Sequence, residues 1–380
     1  MTDRRLRAAV IGMGFVGPFH VDAIRRAGHA DVVALVGSNL ERTRARADAL
    51  GVAGATTDLD EVLPDVDVVH VCTPNDSHVA FAERALNAGK HVVVEKPLAL
   101  SVDDARRVQL LASEKGLHGA VAFTYRGYPM VQEARQLVAD GEVGSLRLVH
   151  GGYLQDWLAN ETDYNWRIEA WAGRSRAVAD IGSHWFDTAE FVSGQRITAV
   201  CADFATFIPV RQRPAVAAVA FAEASGEREP VQIGSEDAAT VLVRFGDGAR
   251  GALVLSQVSP GRKNAFNLEL DGATASIAWG QEQPERLWIG TRDEERTVVR
   301  QLAAPPAAGV PSLPAGHPEG WAEALRDLMR AFYGAILAGD PPPVGETPYP
   351  SLADGVRAVE LVEAVVTSAE QSGWVTVGPT

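Results

Sequence analysis

A chain of 380 residues exceeds one ordinary hydrophobic core, and with 46% hydrophobic against 22% charged side chains it has apolar surface enough to fold, so two domains are expected. A formal charge of −14, from 49 acidic and 35 basic residues, argues against nucleic acid or an anionic membrane as partner, since both reward dense positive patches. Two cysteines, Cys72 and Cys201, make neither a disulfide framework nor a metal-ligand spacing, so no metal site is expected. Arg4, Arg5 and Arg7 precede an apolar stretch, but Gly12, Gly14 and Gly17 interrupt it and His20 and Asp22 follow, unlike a secretory leader. No apolar run approaches the ~20 residues that span a bilayer. A cytoplasmic protein is the expectation.

In chain order, Leu6–Ile11 reads as a strand, 19–27 as a helix, 32–36 as a strand and Leu40–Leu50 as a helix. Then come a strand at 66–72, a helix at 77–88, the strand His91–Val94, a helix at 101–115 and a strand at 117–122. Continuous apolar strands alternating with helices predict a parallel sheet covered on both faces. After residue 123 the pattern changes. A helix at 130–139 leads to strands at 240–245, 251–257, 266–270, 273–279 and 287–289, joined by turns such as Gly246-Asp247-Gly248, which predicts an antiparallel sheet. A Pro-rich loop at 305–318 precedes closing helices at 319–338 and 352–368. The fold class expected is an α/β Rossmann domain with a parallel sheet, plus a C-terminal α+β domain with an open, mainly antiparallel sheet. The boundaries fall at 1–123 and 124–380, with the closing helices free to pack back on the first domain.

Gly12, Gly14 and Gly17 form G-x-G-x-x-G directly after a strand and directly before a helix, with Phe15 and Val16 inside the loop. Glycine permits the tight turn and the close approach of backbone to a pyrophosphate, which the helix N-terminus then receives. The second strand ends in Gly37-Ser38-Asn39 rather than in an acidic residue, with Arg42 following. Without a carboxylate to repel a 2′-phosphate, and with Ser38 and Arg42 able to hydrogen-bond one, NADP stays open beside NAD, although Arg42 equally suits a solvated helix face. Thr73-Pro74-Asn75 closes the strand at 66–72, at the strand end where open α/β sheets bind ligands; a plain turn accounts for it as well.

Glu95-Lys96-Pro97 follows the next strand, and Pro97 biases Lys96 toward an extended backbone. Only four of the 35 basic residues are lysine: Lys90, Lys96, Lys115 and Lys263. An ammonium at the strand end can polarise a reacting oxygen. Asp180 and His184 lie four apart at the expected start of a helix ending at Gly194, so both can share one face. There the helix dipole disfavours the imidazolium, which suits a base near neutral pH. A helix cap at Asp180 and a structural His184 fit the same residues.

Together the glycine loop, Thr73-Pro74-Asn75 with His78, Glu95-Lys96-Pro97 and Asp180-x-Gly182-x-His184 resemble the glucose-fructose oxidoreductase, inositol dehydrogenase and MocA-type family over nearly the whole chain. The resemblance implies Lys96, Asp180 and His184 as catalytic residues. It implies cofactor contacts from Gly12, Gly14, Phe15, Val16, Gly17, Ser38, Asn39, Arg42, Thr73, Pro74, Asn75, His78, Glu95 and Lys96, with NAD favoured over NADP. Asn165-Trp166-Arg167 and Ser175-Arg176-Ala177 resemble the branch of levoglucosan and glycoside 3-dehydrogenases. That branch implies oxidation of a sugar or cyclitol secondary alcohol, at C3 of a pyranose. Besides the catalytic three, Tyr125, Tyr153, Gln155, Asp156, Trp157, Asn165, Trp166 and Arg167 are candidate sugar contacts, since sugars need flat apolar faces and hydrogen-bonding groups. The second domain's sheet is implied to form a homodimer or homotetramer interface. Two rival expectations are a keto-sugar reductase working in the opposite direction and a dinucleotide-sensing regulator without turnover. A Tyr-x-x-x-Lys reductase is excluded, because no lysine has tyrosine four positions before it.

Overall fold

The computed structural model describes residues 5–215, 227–300, 312–342 and 347–378. The chain forms two compact units, Met1–Gly127 with Trp321–Val359 and Tyr128–Gly320 with Glu360–Thr380. Of the expected loop at 305–318, the part up to residue 311 lies outside the described residues.

The first unit opens β1 (Leu6–Ile11), α1 (Gly17–Ala27), β2 (Ala30–Val36), α2 (Leu40–Leu50), β3 (Gly54–Thr56), β4 (Val68–Val71), α3 (His78–Asn87), β5 (His91–Val94), α4 (Val102–Glu114) and β6 (Gly119–Val121). Its strands lie in the order β3-β2-β1-β4-β5-β6, and all are parallel. β4 and β5 are valine-rich without alternation because both faces of the sheet are covered, His70 in β4 and His91 at the start of β5 being their polar members. Val69, Val71, Val92 and Val94 enter one core with Leu352, Val356 and Val359, while Val68 and Val93 enter the other with Leu325, Leu328, Met329 and Phe332 of the helix Trp321–Ala338. The strand order reverses between β1 and β4, which places a ligand crevice at their C-terminal ends. Local chemistry fixes the helix starts: the Asn39 side chain accepts from the Arg42 N–H to cap α2, and Ser101 does the same for Asp104 at α4.

The second unit continues with α5 (Pro129–Ala139), β7 (Leu146–Leu154), α6 (Ser183–Ser193), β8 (Ile197–Ala205), β9 (Val210–Pro214), β10 (Arg228–Gln232), β11 (Ala238–Phe245), β12 (Arg250–Ser256), β13 (Ala265–Gly272), β14 (Ser276–Gly280), β15 (Arg286–Gly290), β16 (Glu295–Val299) and β17 (Val375–Thr376). Nine strands form a sheet in the order β16-β15-β14-β13-β7-β12-β11-β8-β17. Every neighbouring pair is antiparallel except β7 with β12, so the sheet is mixed at its centre. Strict alternation turns Val241, Val243, Leu253 and Leu255 inward and leaves Thr240, Leu242, Ala252 and Val254 exposed. Gly151 of β7 shows why the centre needs glycine: at φ 152°, a Cβ would stand 2.0 Å from the Asn267 carbonyl oxygen, to which the Trp185 indole N–H donates at 3.1 Å.

Candidate functional site

In the first unit the glycine loop is a turn with space above it. Gly12 has φ +90°, and a Cβ there would lie 2.4 Å from the Cys72 carbonyl oxygen, whereas a Cβ on Gly14 would meet nothing within 4 Å. Gly12 N–H donates to Val36 at 2.9 Å, which seats the turn against the end of β2. α1 begins at Gly17 with Pro18 in its first turn and no acidic residue there, so its N-terminus suits an anion. These features fit the pyrophosphate of a dinucleotide. Phe15 is 45% exposed in the loop, and Val16 is the residue before the helix. Ser38, Asn39 and Arg42 are exposed beyond β2; Asn39's side-chain oxygen is engaged as the α2 cap.

The adjacent strand ends gather the next group. β4 passes into Thr73-Pro74-Asn75, where Thr73 Oγ1 accepts from the Ser77 hydroxyl at 2.8 Å. β5 passes into Glu95 and the half-buried Lys96, with Glu95 N–H donating to Val71 at 2.9 Å; the Lys96–Pro97 peptide is cis. His78 was expected as a cofactor contact. Its ring is wholly buried, with Nδ1 2.7 Å from the Pro97 carbonyl oxygen and Nε2 2.9 Å from that of Thr73, so it ties the two loops together instead. Burial lowers its pKa, with the two carbonyls and Glu95 opposing. Glu95 likewise turns inward, its Oε1 2.8 Å from His20 Nε2.

In the second unit Asp180 does not start a helix, as the sequence had led us to expect. It lies within a π-helical turn, Val178–Gly182, that runs straight into α6, and its N–H donates to Arg176 at 2.8 Å. It is therefore no N-cap, and His184 sits one turn inside a longer helix, where the dipole argument weakens. The spacing of four survives. Asp180 Oδ2 accepts from Gln257 Nε2 at 2.8 Å, and Oδ1 lies 3.4 Å from Arg167 Nε. The His184 ring faces that of Tyr153 at 6.4 Å.

Around them stand most of the expected sugar contacts. The Tyr153 hydroxyl donates to Asn264, Gln155 Nε2 donates to the same oxygen at 3.0 Å, and the Trp157 indole donates to Gln155 at 2.9 Å. The Arg167 guanidinium lies 4.5 Å over Trp166, which stacks on Trp171 at 5.4 Å and 15°. Asn165 accepts from the Arg167 N–H, shaping that short turn. Asp156 pairs with Lys263 at 2.6 Å, which holds its carboxyl below the usual range. Tyr125 belongs to the first unit, buried in the turn Thr124–Gly127. Gln257, Asn264 and His20 were not anticipated, because each reaches its partner through pairing of distant segments that leaves no mark in local spacing; Trp171, five residues after Trp166, lay within reach of local spacing and was missed.

A dinucleotide-type crevice followed by a domain carrying an aspartate–histidine pair among aromatic and amide side chains defines a nicotinamide-dependent oxidoreductase. Residues 6–123 match the oxidoreductase family with an NAD-binding Rossmann fold, and 131–278 match the GFO/IDH/MocA C-terminal domain. An oxidoreductase domain protein from Kribbella flavida is 34% identical with a TM-score of 0.89, covering 99% of this chain and 100% of that one. The chain belongs to the GFO/IDH/MocA family of oxidoreductases. Levoglucosan dehydrogenase of Pseudarthrobacter phenanthrenivorans is 29% identical over 98% of each chain. A solved levoglucosan dehydrogenase in complex with NADH and levoglucosan has a TM-score of 0.88 at 29% identity, over 99% of this chain and 100% of that one.

Proposed function

We propose that the protein is an NAD-dependent dehydrogenase that oxidises a ring secondary alcohol of a sugar, anhydrosugar or glycoside, with C3 of a pyranose as the reacting position. One observation carries this reading: Asp180 and His184 stand four residues apart across the π-turn and α6, with Gln257 and Arg167 on the carboxylate and Tyr153 beside the imidazole. A histidine one helical turn from a carboxylate that Gln257 and Arg167 hold in place, with a tyrosine ring beside it, suits removal of a proton from a carbohydrate hydroxyl. Support for the substrate class comes from the likeness to levoglucosan dehydrogenase.

In this reading His184 takes the hydroxyl proton and Asp180 orients it, while Lys96 holds the oxygen as the carbonyl forms. A bound nicotinamide supplies the acceptor for the hydride leaving the same carbon. Gly12, Gly14, Phe15, Val16 and Gly17 would hold the pyrophosphate, and Thr73, Pro74 and Asn75 line the neighbouring strand end. NAD is the proposed cofactor; Ser38 and Arg42 are the residues through which NADP would bind. Copies of the chain are proposed to associate through the exposed face of the nine-stranded sheet.

The test is absorbance of reduced nicotinamide with NAD and NADP over a panel of inositols, free hexoses, anhydrosugars and glycosides. Wild type is expected to turn over an anhydrosugar or glycoside, and Lys96→Ala to lose on the order of 10²–10³ in kcat, the usual cost of deleting one donor to a reacting oxygen. Cofactor binding with no redox change on any sugar would sink the dehydrogenase reading in favour of a dinucleotide-binding regulator.

A further inference from the structure

Four side chains of the first unit form one buried hydrogen-bonded chain that the reaction above does not use. Glu95 Oε1 lies 2.8 Å from His20 Nε2, His20 Nδ1 lies 3.0 Å from His70 Nδ1, and His70 Nε2 lies 2.7 Å from the Tyr333 hydroxyl. His20, His70 and Tyr333 show no exposed surface. They come from α1, β4 and the helix Trp321–Ala338, and Glu95 from the end of β5, so no local spacing brings them together. Apolar side chains would fill this core without the desolvation that polar groups incur, and a buried polar chain is tolerable only when every member is bonded.

Proton counting fixes what the chain can do. Burial, and then the charge of His20, holds the His70 imidazole well below the usual histidine range, so it is neutral and carries one N–H. The contact between the two Nδ1 atoms needs one donor and one acceptor. Either Tyr333 donates to His70, His70 to His20 and His20 Nε2–H to Glu95, or His20 carries both protons and donates both ways while His70 Nε2–H donates to the Tyr333 oxygen. In both arrangements His20 Nε2–H stays on Glu95.

Glu95 stands among opposed influences. Burial raises its pKa; His20, Lys96 and His78 lower it, and the net position is below the ordinary carboxylate value. The groups facing it are His20 from α1, Cys72 at the end of β4, His78 from α3 and Lys96 beside it in the chain. Its side chain keeps 11% of its surface accessible at the C-terminal edge of the sheet.

We propose that His20, His70 and Tyr333 are positioning residues that fix Glu95 as an oriented carboxylate beside Lys96, so that this strand end presents a carboxylate–ammonium pair to the reaction. The functional half of this inference rests on the dehydrogenase reading, and the test separates the two. In the first arm, ¹⁵N-histidine spectra of the protein without substrate are recorded from pH 5 to 9. His20 is expected to carry a proton on Nε2 throughout, and His70 a single proton; Tyr333→Phe is expected to shift the His70 Nε2 resonance. A His20 protonated on Nδ1 alone, or a doubly protonated His70, overturns the chain.

In the second arm, pH profiles of kcat/KM are compared among variants that melt cooperatively and bind NADH. His20→Leu is expected to move the acid limb up by about one unit or more, the size of shift produced by losing a close favourable partner. His20→Gln, which keeps an N–H for Glu95, is expected to return most of that shift, and Tyr333→Phe to move the limb less. Because His184 as base sets an acid limb of its own, kcat at the optimum is read beside the profile, and an unmoved limb together with an unchanged kcat in folded His20→Leu overturns the positioning role. Absence of turnover in wild type on every sugar would defeat the dehydrogenase reading alone, since the spectra still decide the chain.

Discussion

Gly12 and Gly14 separate two jobs that a glycine motif usually confounds. At Gly12 a methyl would collide with the Cys72 backbone 2.4 Å away and hold a left-handed φ, which costs an L-residue about 1–2 kcal/mol before the collision is counted. At Gly14 a methyl would meet no protein atom within 4 Å. Gly12→Ala is therefore expected to lower both the melting temperature and NADH affinity, whereas Gly14→Ala leaves melting unchanged and weakens NADH alone. Fluorescence titration and thermal melting read the two effects separately. Equal destabilisation by both, or no affinity loss in Gly14→Ala, would show that the open space above Gly14 is not where the dinucleotide lies. The motif was legible from spacing, but this division of labour was not, because it depends on Cys72, 60 residues away and just past the end of β4.

At the scale of elements, the reading succeeded where the chain is locally unambiguous. β4 and β5 are valine-rich and buried on both faces, broken only by His70 within β4 and His91 at the start of β5, and the alternation of β11 and β12 marks a sheet with one covered face. β7, at the centre of the larger sheet, escaped because Gly151 and Gly152 interrupt its pattern; its strand identity comes from pairing with β12 and β13. β9 and β10 carry Arg211, Arg213, Arg228 and Glu229, and their strand identity comes from pairing with each other. In the candidate site, Lys96, Asp180 and His184 stood out by motif, while the π-turn that holds Asp180 and the inward turn of Glu95 and His78 did not.

The start of β5 yields an acid-stability prediction. His91 is pushed down to about 4, by burial first and by the charge of His118 second, with Asp67 opposing. His70 and His78 are lowered as well, each mainly by burial. A histidine with a lowered folded pKa binds its proton more readily when unfolded, so stability is complete above the unfolded value of about 6.5 and falls as pH drops toward 4. Melting temperature should accordingly decline between pH 6.5 and 4.5, and His91→Gln should flatten that decline while leaving the melt at pH 8 within a few degrees. A slope identical to wild type would remove His91 from the account.

For the whole molecule, the exposed face of the nine-stranded sheet asks for an explanation. Alternation is kept in β11 and β12, yet the outward positions are not all polar: Leu148, Leu242 and Val254 are 47%, 46% and 47% exposed, and they lie on β7, β11 and β12, three strands adjacent in the sheet. The paired registers set Leu242 against Ala252 and Val254 against Thr240, while Leu148 lies between Arg250 and Asp271. Exposed apolar residues grouped on a sheet face, here Leu242, Ala252 and Val254 with Leu148 beyond Arg250, mark a place for association, and a stable contact buries roughly 800 Å² on each partner, an area that a sheet face of this many strands can supply. With a net charge of −14, copies repel at long range, so only such a specific patch would hold them together. Leu242→Asp with Val254→Asp puts two more charges at that patch without touching the buried Val241, Val243, Leu253 or Leu255 of the same strands. Light scattering is expected to show wild type as a dimer or tetramer and the double variant as a monomer that still binds NADH. A monomeric wild type, or a variant that keeps its mass, would mean that the face is solvent-exposed in the working protein and that Leu148, Leu242 and Val254 carry no partner.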